Sequence, residues 1–368
     1  MSFRLLKLVL KVGHFFAITP SFKKSRIPTC PEKIYAYCVV AFLTLGVAIS
    51  MFYRAKDYAK FIHIKAVVQI TLDFTLFVQN IYTVLTALKK KSLWWLLLKK
   101  LKIVQNHNNI EEKPQYCLFV ASNCFFWIYQ SYMSYIFASL QGDEFFKQFA
   151  IEYFQMYVLF FVNFSFFVVV KMLLVRYQAL SRHLRLNLHF LEKPENRRVG
   201  YSLAHLDKIQ YDFCLLKEAV DLANNIFGWQ ILFLITYATL QILVYLHLIV
   251  MLGFKDIYMI IYIVVVIFWH TVNASTNVFL CDEICNEGRT ILGMSYSLEK
   301  YFLNRSCKNV AQIQELTSTI KDNFPRFYAA RFFVISRGTI LGILDAIVTF
   351  LIVMIQFEMT RNSTNINL

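Results

Sequence analysis

The chain has 368 residues, of which 58% are hydrophobic, 17% are aromatic and only 17% are charged, and its mean hydropathy is +0.49. Soluble domains carry about 25% charged residues, so this composition excludes an ordinary soluble protein. The formal net charge is +15. The basic residues gather in segments that we expect to face anionic membrane lipid, so the charge does not require a nucleic-acid partner, and none is predicted.

Seven apolar runs are long enough to cross a bilayer core of about 30 Å as helices. In chain order they are Ile34 to Phe52, Ala66 to Leu88, Tyr116 to Leu140, Phe149 to Val170, Ile226 to Leu252, Ile257 to Leu280 and Thr339 to Phe357. The sequence has none of the short alternating segments of a membrane barrel. It therefore predicts an all-α membrane protein with seven transmembrane helices.

The basic residues predict the orientation of these helices. Segments 1–33, 89–115, 171–225 and 281–338 hold 7, 7, 9 and 8 Lys or Arg residues, together 31 of the 38, and the alternate segments hold the other 7. Because Lys and Arg accumulate on the cytoplasmic side, the N-terminus is predicted to be cytoplasmic and the C-terminus extracellular. This orientation disfavours the rhodopsin-like receptors, whose N-terminus lies outside the cell.

Helical patterns continue beyond the fourth, fifth and sixth runs into the basic segments. Between residues 310 and 324, apolar side chains recur on one stripe at Val310, Ile313, Ile320 and Phe324, and Pro325 ends the pattern. Such stripes bury against other helices, so we expect a cytoplasmic bundle that anchors the membrane helices. The alternative is an amphipathic helix that lies flat on the membrane.

The expected organisation follows from these patterns. It has a cytoplasmic N-terminus at 1–33, transmembrane helices 1–4 at 34–170, anchor helices at 171–225, transmembrane helices 5–6 at 226–280, further anchor helices at 281–338, a seventh transmembrane helix at 339–357 and an extracellular tail at 358–368. All eight cysteines fall in predicted spans or cytoplasmic segments, so we expect no disulfide. Cys281 and Cys285 lie one helical turn apart, but two ligands do not make a metal site, and neither a metal nor a cofactor is predicted.

The last span carries a polar stripe. On a helix with about 100° per residue, Asp345, Thr349, Ile352 and Gln356 fall within about 60° of one another. A carboxylate in lipid costs several kcal/mol, so this stripe should face protein or water. One interpretation is a polar ring beside an apolar constriction at Phe357 in a pore. The other is a set of hydrogen bonds between helices of an ordinary bundle.

The stretch TFLIVMIQF, from Thr349 to Phe357, resembles the C-terminal signature of the insect gustatory receptors. That signature is Thr-Tyr, five hydrophobic residues and Gln-Phe. Here Thr349, Gln356 and Phe357 match, Leu351 to Ile355 supply the hydrophobic residues, and Phe350 replaces the usual Tyr. The chain length, the inverted orientation and the place of the stretch at the end of a seventh span are similar to those of the family.

The resemblance implies a ligand-gated, non-selective cation channel in the plasma membrane of a sensory dendrite, opened by a small-molecule tastant. Family members form homotetramers, or heterotetramers with other gustatory receptor subunits, and the last span of each subunit lines one central pore. The candidate pore and gate residues are then Asp345, Thr349, Phe350, Ile352, Gln356 and Phe357. Besides the tastant and the other subunits, the expected partner of the chain is membrane lipid. In the family, the inner parts of spans four to seven form an anchor domain.

The resemblance also implies a ligand pocket in the outer halves of the helices. Aromatic faces with a few polar groups are the usual lining of such a pocket, and a carboxylate at membrane depth is a functional candidate by default. The candidate ligand-binding residues are Asp73, Trp127, Gln130, Tyr132, Glu152, Gln155, Tyr245 and His247. Glu152 is a candidate partner for a cationic ligand. The alternative for the aromatic residues is an interfacial belt.

Ligand class is predicted from one position. Sugar-sensing members of the family carry an acidic residue directly after the Thr-Tyr pair, whereas this chain has Leu351. We therefore expect a bitter or otherwise aversive compound, with a sugar or a pheromone as alternatives. A related insect odorant receptor subunit is the closest rival interpretation. No HExxH, GxGxxG or Walker-type motif is present, so an enzyme is not predicted.

Overall fold

The computed structural model describes residues 3–21, 27–58, 63–108, 115–142, 144–192, 199–252, 257–303 and 310–366. Side chains at 56–57, 63–64, 140–141, 187, 189–192, 199–205, 251–252, 258 and 357–366 are outside that description. Helices and one small hairpin follow one another along the described chain. They are α1 (Phe3–Phe15), α2 (Cys30–Tyr58), α3 (His63–Lys89), α4 (Lys91–His107), α5 (Tyr116–Gln141), α6 (Glu144–Glu192), α7 (Val199–Leu252), α8 (Ile257–Leu303), α9 (Val310–Asp322), β1 (Tyr328–Ala329), β2 (Phe333–Val334) and α10 (Arg337–Ile366).

Each of the seven predicted spans lies within one helix, namely α2, α3, α5, α6, α7, α8 and α10. The predicted all-α membrane fold is thus confirmed. Within the described residues, six of these helices have both the length and the hydropathy to cross a membrane, and α5 is the exception. It has the length, but Ser, Asn, Gln and Tyr residues interrupt its apolar residues.

Helix α6 is the most central helix of the described chain. It packs against α1, α2, α3, α4, α5, α7 and α8. Its side chains Phe161, Val168, Val169 and Leu173 are fully buried, each at 0% exposure. An apolar surface on all sides of one helix is what a buried position in a larger bundle requires. The main core therefore surrounds this helix, and these seven helices pack around it.

The N-terminal helix α1 docks on α6, which the sequence did not predict. Its apolar face is fully buried at Leu5, Leu6 and Val9. Close contact depends on Gly13, because a Cβ atom at this position would lie 2.7 Å from a ring carbon of Phe161. The helix then turns back, and the Thr19 hydroxyl donates a 2.7 Å hydrogen bond to the Leu10 carbonyl.

Buried charges join the elements of the predicted cytoplasmic end. The Lys91 ammonium, at the start of α4, lies 2.9 Å from a Glu32 carboxylate oxygen at the start of α2. Arg176 of α6 is 1% exposed and donates to the Leu101 carbonyl at 2.9 Å and to the Gln105 side-chain oxygen at 2.9 Å. Each buried cation therefore has hydrogen-bond acceptors, as a low-dielectric interior demands.

The helical extensions beyond spans four to six are present. Helix α6 runs to Glu192, α7 begins at Val199 and α8 runs to Leu303. The striped segment forms α9, which packs against α7 and α8 with Ile313 and Ile320 fully buried. The described parts of these elements form one helical cluster, and the expected domain boundaries stay predictions.

A two-stranded hairpin interrupts the helices before α10, where only helices were predicted. Tyr328 pairs with Val334 and Ala329 with Phe333 in antiparallel register. The hairpin sits directly on α7, because a Cβ atom at Gly228 would lie 3.1 Å from the Ala330 nitrogen. Helix α10 begins soon after the hairpin and runs past the predicted span end at Phe357 to Ile366.

Candidate ligand cavity and pore-facing helix

A cavity of about 630 Å³ lies between the ends of α2, α3, α5, α6 and α7. These are the helix ends that the basic-residue pattern predicts to be extracellular. The lining combines charged, amide, aromatic and aliphatic side chains. Its residues are Arg54, Tyr58, Gln69, Met133, Phe137, Glu144, Phe145, Gln148, Phe149, Glu152, Tyr153, Met156, Gln241, Val244, Tyr245 and Leu248.

Three buried charges meet at one wall of the cavity. The Nη1 atom of Arg54, near the end of α2, lies 3.3 Å from Asp73 Oδ2 on α3 and 3.3 Å from Glu152 Oε2 on α6. The Tyr58 hydroxyl also donates a hydrogen bond to Asp73, and the Gln69 amide donates one at 3.4 Å. One guanidinium therefore joins three helix ends, and charges at this depth need such pairing.

Aromatic rings form a second wall. The Phe137 and Phe145 rings stack with centroids 5.7 Å apart, and the Phe145 and Phe149 centroids are 5.3 Å apart. The Tyr262 ring of α8 lies next to Phe137 with centroids 5.4 Å apart, and the hydroxyl oxygens of Tyr245 and Tyr262 are 2.9 Å apart and share a hydrogen bond. An aromatic enclosure with a few polar groups is the usual form of a small-molecule site. This cavity can therefore hold a small organic molecule by stacking, hydrogen bonds and ionic contacts.

Three of the predicted ligand residues meet at this cavity. Glu152 and Tyr245 line it. Asp73 lies behind the lining with a side chain only 4% exposed, and it holds Arg54 from there. Asp73 thus acts on the cavity through Arg54, whereas Glu152 faces the empty space directly.

The other five predicted ligand residues are not brought to the described lining of this cavity. Gln130, Gln155 and His247 are buried between helices, and Tyr132 is half-buried. Trp127 is 54% exposed on the outside of α5 and stacks on Tyr157 with centroids 5.3 Å apart. Aromatic residues occur on every face of α5, so the sequence alone did not indicate which face turns inward.

Sequence reasoning missed Arg54, Tyr58 and Gln241. The predicted first span ended at Phe52, so the residues of the next helical turn were treated as loop. The signal that was available is a single arginine directly after an apolar run, one helical turn before Tyr58. Because α2 continues to Tyr58, both side chains stay on the helix and reach the cavity.

The predicted pore stripe lies on the open side of α10. This helix packs against α7 and α8, while Asp345, Thr349, Ile352 and Gln356 are all exposed in the single subunit. Phe350 is also exposed, at 59%, but lies about 100° round the helix from Thr349. The side chain of Phe357 is outside the described set.

In the described part of the chain, no group of three or more His, Cys, Asp or Glu side chains has the arrangement of a metal site.

Comparison with known proteins gives a consistent result. The model of the 7tm Chemosensory receptor family matches residues 6–361. The fold is similar to that of the insect olfactory receptor OR5 from Machilis hrabei in complex with eugenol, at a TM-score of 0.66 and 12% identity, covering 96% of this chain and 97% of that chain. A second structure of the same receptor gives a TM-score of 0.61 and 13% identity over the same shares. No curated protein sequence matches. With the helical architecture and the family model both spanning nearly its whole length, the chain belongs to the 7tm chemosensory receptor family.

Proposed function

We propose that the chain is a gustatory receptor subunit of a ligand-gated, non-selective cation channel. The channel is a homotetramer or a heterotetramer with other gustatory subunits. It resides in the plasma membrane of a sensory dendrite and opens in response to a bitter or otherwise aversive molecule. The family membership and the resemblance of TFLIVMIQF to the gustatory signature support this proposal.

The observation that carries the proposal is the exposure of α10. This helix is apolar enough to span a membrane, yet its polar stripe of Asp345, Thr349 and Gln356 is exposed in the single subunit. In a lone subunit, Asp345 would meet lipid at a cost of several kcal/mol. Several copies arranged around one axis would turn the same stripe toward water and give a polar path with apolar constrictions.

The cavity at the other helices supplies the site for the ligand. It lies at the predicted extracellular ends of α2, α3, α5, α6 and α7, whereas α10 contributes none of its described lining residues. Ligand binding and ion conduction therefore occupy different places, so the ligand would act by favouring one arrangement of helices over another. In this proposal Glu152 and Tyr245 contact the ligand, and Arg54 and Asp73 position Glu152.

The test is whole-cell current from cells that express the chain, alone and with candidate partner subunits, during application of bitter compounds and sugars. Wild type is compared with Gln356→Ala. We expect a ligand-evoked cation current whose reversal potential or rectification changes in the variant, because Gln356 lines the permeation path. Surface labelling checks that both proteins reach the membrane in equal amounts.

A matched control is Leu344→Ala on the same helix. Leu344 is 52% exposed but lies about 120° round the helix from Gln356. We expect its permeation properties to equal those of wild type. A surface-expressed protein that passes no current with any partner across the panel would contradict the channel proposal. Equal changes in the two variants would contradict the assignment of the stripe to the pore.

The second candidate function is an odorant receptor subunit, because the similar solved structures are those of an olfactory receptor. The two functions differ in the ligands and partners that they need. Currents evoked by volatile compounds only when an odorant co-receptor is present would favour the olfactory function. Currents evoked by involatile bitter compounds without that partner would favour the gustatory one.

A further inference from the structure

The carboxylates at the cavity wall are held unequally. Asp73 receives hydrogen bonds from Arg54, Tyr58 and Gln69. Glu152 receives one contact from a described residue, the 3.3 Å contact with Arg54 Nη1. The Glu152 side chain is also the more accessible of the two, at 13% against 4% for Asp73. Glu152 is therefore the carboxylate that a molecule in the cavity can reach.

The Arg54 guanidinium occupies the position, beside Glu152 and the aromatic rings, that a cationic ligand would take. Its Cζ atom lies 5.1 Å from the centroid of the Phe149 ring and 5.8 Å from that of Tyr58. Aromatic faces attract cations, most strongly where water is excluded. Both contacts to carboxylates use the same Nη1 atom, and the buried Nε atom has no hydrogen-bond partner among the described residues. The guanidinium is therefore held in the aromatic enclosure with incomplete hydrogen bonding.

The charge balance of this wall favours a second cation. Two buried carboxylates, Asp73 and Glu152, share one guanidinium, so the group carries a formal charge of −1 beside an open volume of about 630 Å³. In a low-dielectric site a net charge attracts an opposite charge more strongly than it would at the surface. An aromatic ring beside the carboxylate adds to the attraction.

We propose that the cavity selects organic cations and that the cation of the ligand replaces Arg54 at Glu152. This inference rests on the proposed function and names its ligand class. On binding, the contact between α2 and α6 is exchanged for a contact between the ligand and α6. Arg54 stays paired with Asp73, so the contact between α2 and α3 persists. The side chain of Arg54 is thus an internal competitor of the ligand, and binding changes which helices are joined.

The test uses two probes of the same shape, benzyltrimethylammonium and its uncharged carbon isostere neopentylbenzene. Binding of both is measured on the purified full chain in nanodiscs, after subtraction of binding to empty nanodiscs. A desolvated cation beside an aromatic ring and a carboxylate corresponds to about a tenfold or larger preference. We expect wild type to bind the ammonium at least about tenfold more tightly than the isostere, and Glu152→Gln to lose most of this preference.

The two members of the ion pair should give opposite effects. Arg54→Gln removes the competitor and leaves the carboxylates, so the affinity for the ammonium should rise several-fold while that for the isostere stays the same. If the pair only held the helices together, both substitutions would weaken binding of both probes. The same direction of change in both variants, or no preference in wild type, would overturn the proposal.

Two further variants keep the result interpretable. Glu283→Gln removes an exposed carboxylate of α8 that does not line the cavity, and we expect it to change the preference by less than about twofold because water screens that charge. If Arg54→Gln does not fold, the double variant Arg54→Gln/Asp73→Asn removes the guanidinium together with the carboxylate behind the lining and leaves Glu152 charged, so it should keep the preference for the ammonium. Loss of the preference in that double variant would overturn the proposal. Because binding is measured without current, failure here and failure of the channel function are separate outcomes.

Discussion

Helices α6 and α10 are about equally apolar, but they are buried to very different extents. Of the most apolar 18-residue stretch of each helix, 78% is buried in α6 and 11% in α10. Hydropathy alone therefore does not distinguish a helix that organises a subunit from one that presents a surface to other molecules. The difference shows that the chain itself covers α6 and leaves most of α10 exposed.

Polar residues of the two helices differ in the same way. On α6, the Asn163 amide donates to the Asn273 side chain of α8 at 3.1 Å, so its polar group is used inside the subunit. On α10, Asp345 and Thr349 are exposed. Buried polar groups need hydrogen-bond partners, whereas the exposed side chains of Asp345 and Thr349 can reach water or another chain. This contrast can be tested by making the same change in both helices.

The largest expected difference in the free energy of unfolding is between Phe161→Ala on α6 and Phe350→Ala on α10. Phe161 is fully buried and Phe350 is 59% exposed. The first substitution leaves a cavity and should lower the free energy of unfolding by about 3–5 kcal/mol, whereas the second should change it by less than about 0.5 kcal/mol. Thermal unfolding of the purified proteins in the same detergent measures both. Similar losses in the two variants would show that α10 is buried in the isolated subunit.

A smaller difference in stability, seen as the yield of folded receptor, is expected between Val169→Asn on α6 and Val348→Asn on α10. Val169 is 0% exposed and Val348 is 55% exposed. Asparagine at the buried site lacks hydrogen-bond partners and should cost about 1–3 kcal/mol, which lowers the yield of folded receptor. At the exposed site the amide meets water or a neighbouring chain, so we expect folding to be nearly unchanged. The measurement is the amount of monodisperse receptor recovered after gel filtration. A loss of receptor in Val348→Asn as large as that in Val169→Asn would contradict the comparison.

The smallest expected effect concerns the attachment of α10 to α8. Arg337 Nε lies 2.7 Å from Asp282 Oδ2, but the Arg337 side chain is 65% exposed. Water screens such a pair, so Arg337→Gln should lower stability by about 0–1 kcal/mol. Arg289→Gln on α8, another exposed arginine, is the matched control for loss of charge. A shift in melting temperature well above that of the control would show that this pair fixes α10 in place.

Local patterns in the sequence were sufficient to predict the helices. Run lengths placed the seven spans, and the stripe from Val310 to Phe324 predicted α9, whose helix ends at Asp322. Both signals depend only on neighbouring residues. The extension of α2 to Tyr58 was missed because a span predicted from hydropathy ends where charged residues begin, whereas a helix needs no such limit.

The arrangement at the cavity was only partly predictable, because it depends on contacts between distant residues. Asp73 and Glu152 were chosen as carboxylates at membrane depth. Their common partner Arg54 is 19 residues from the first and 98 residues from the second. No periodic pattern connects such positions. The same reason explains why α1 was not expected to dock on α6, since the fit at Gly13 depends on Phe161.

The hairpin packs on Gly228, so α7 contacts both the cavity and the segment that leads into α10. Gln241 and Tyr245 line the cavity on this helix, and the hairpin that precedes α10 rests on it at Gly228. The distance along the helix from Gly228 to Gln241 is about 20 Å. A small rotation of α7 about its own axis would therefore turn the cavity wall and the base of α10 together. In the proposed channel, α7 would thus couple the cavity at one point along its length to the start of α10 at another.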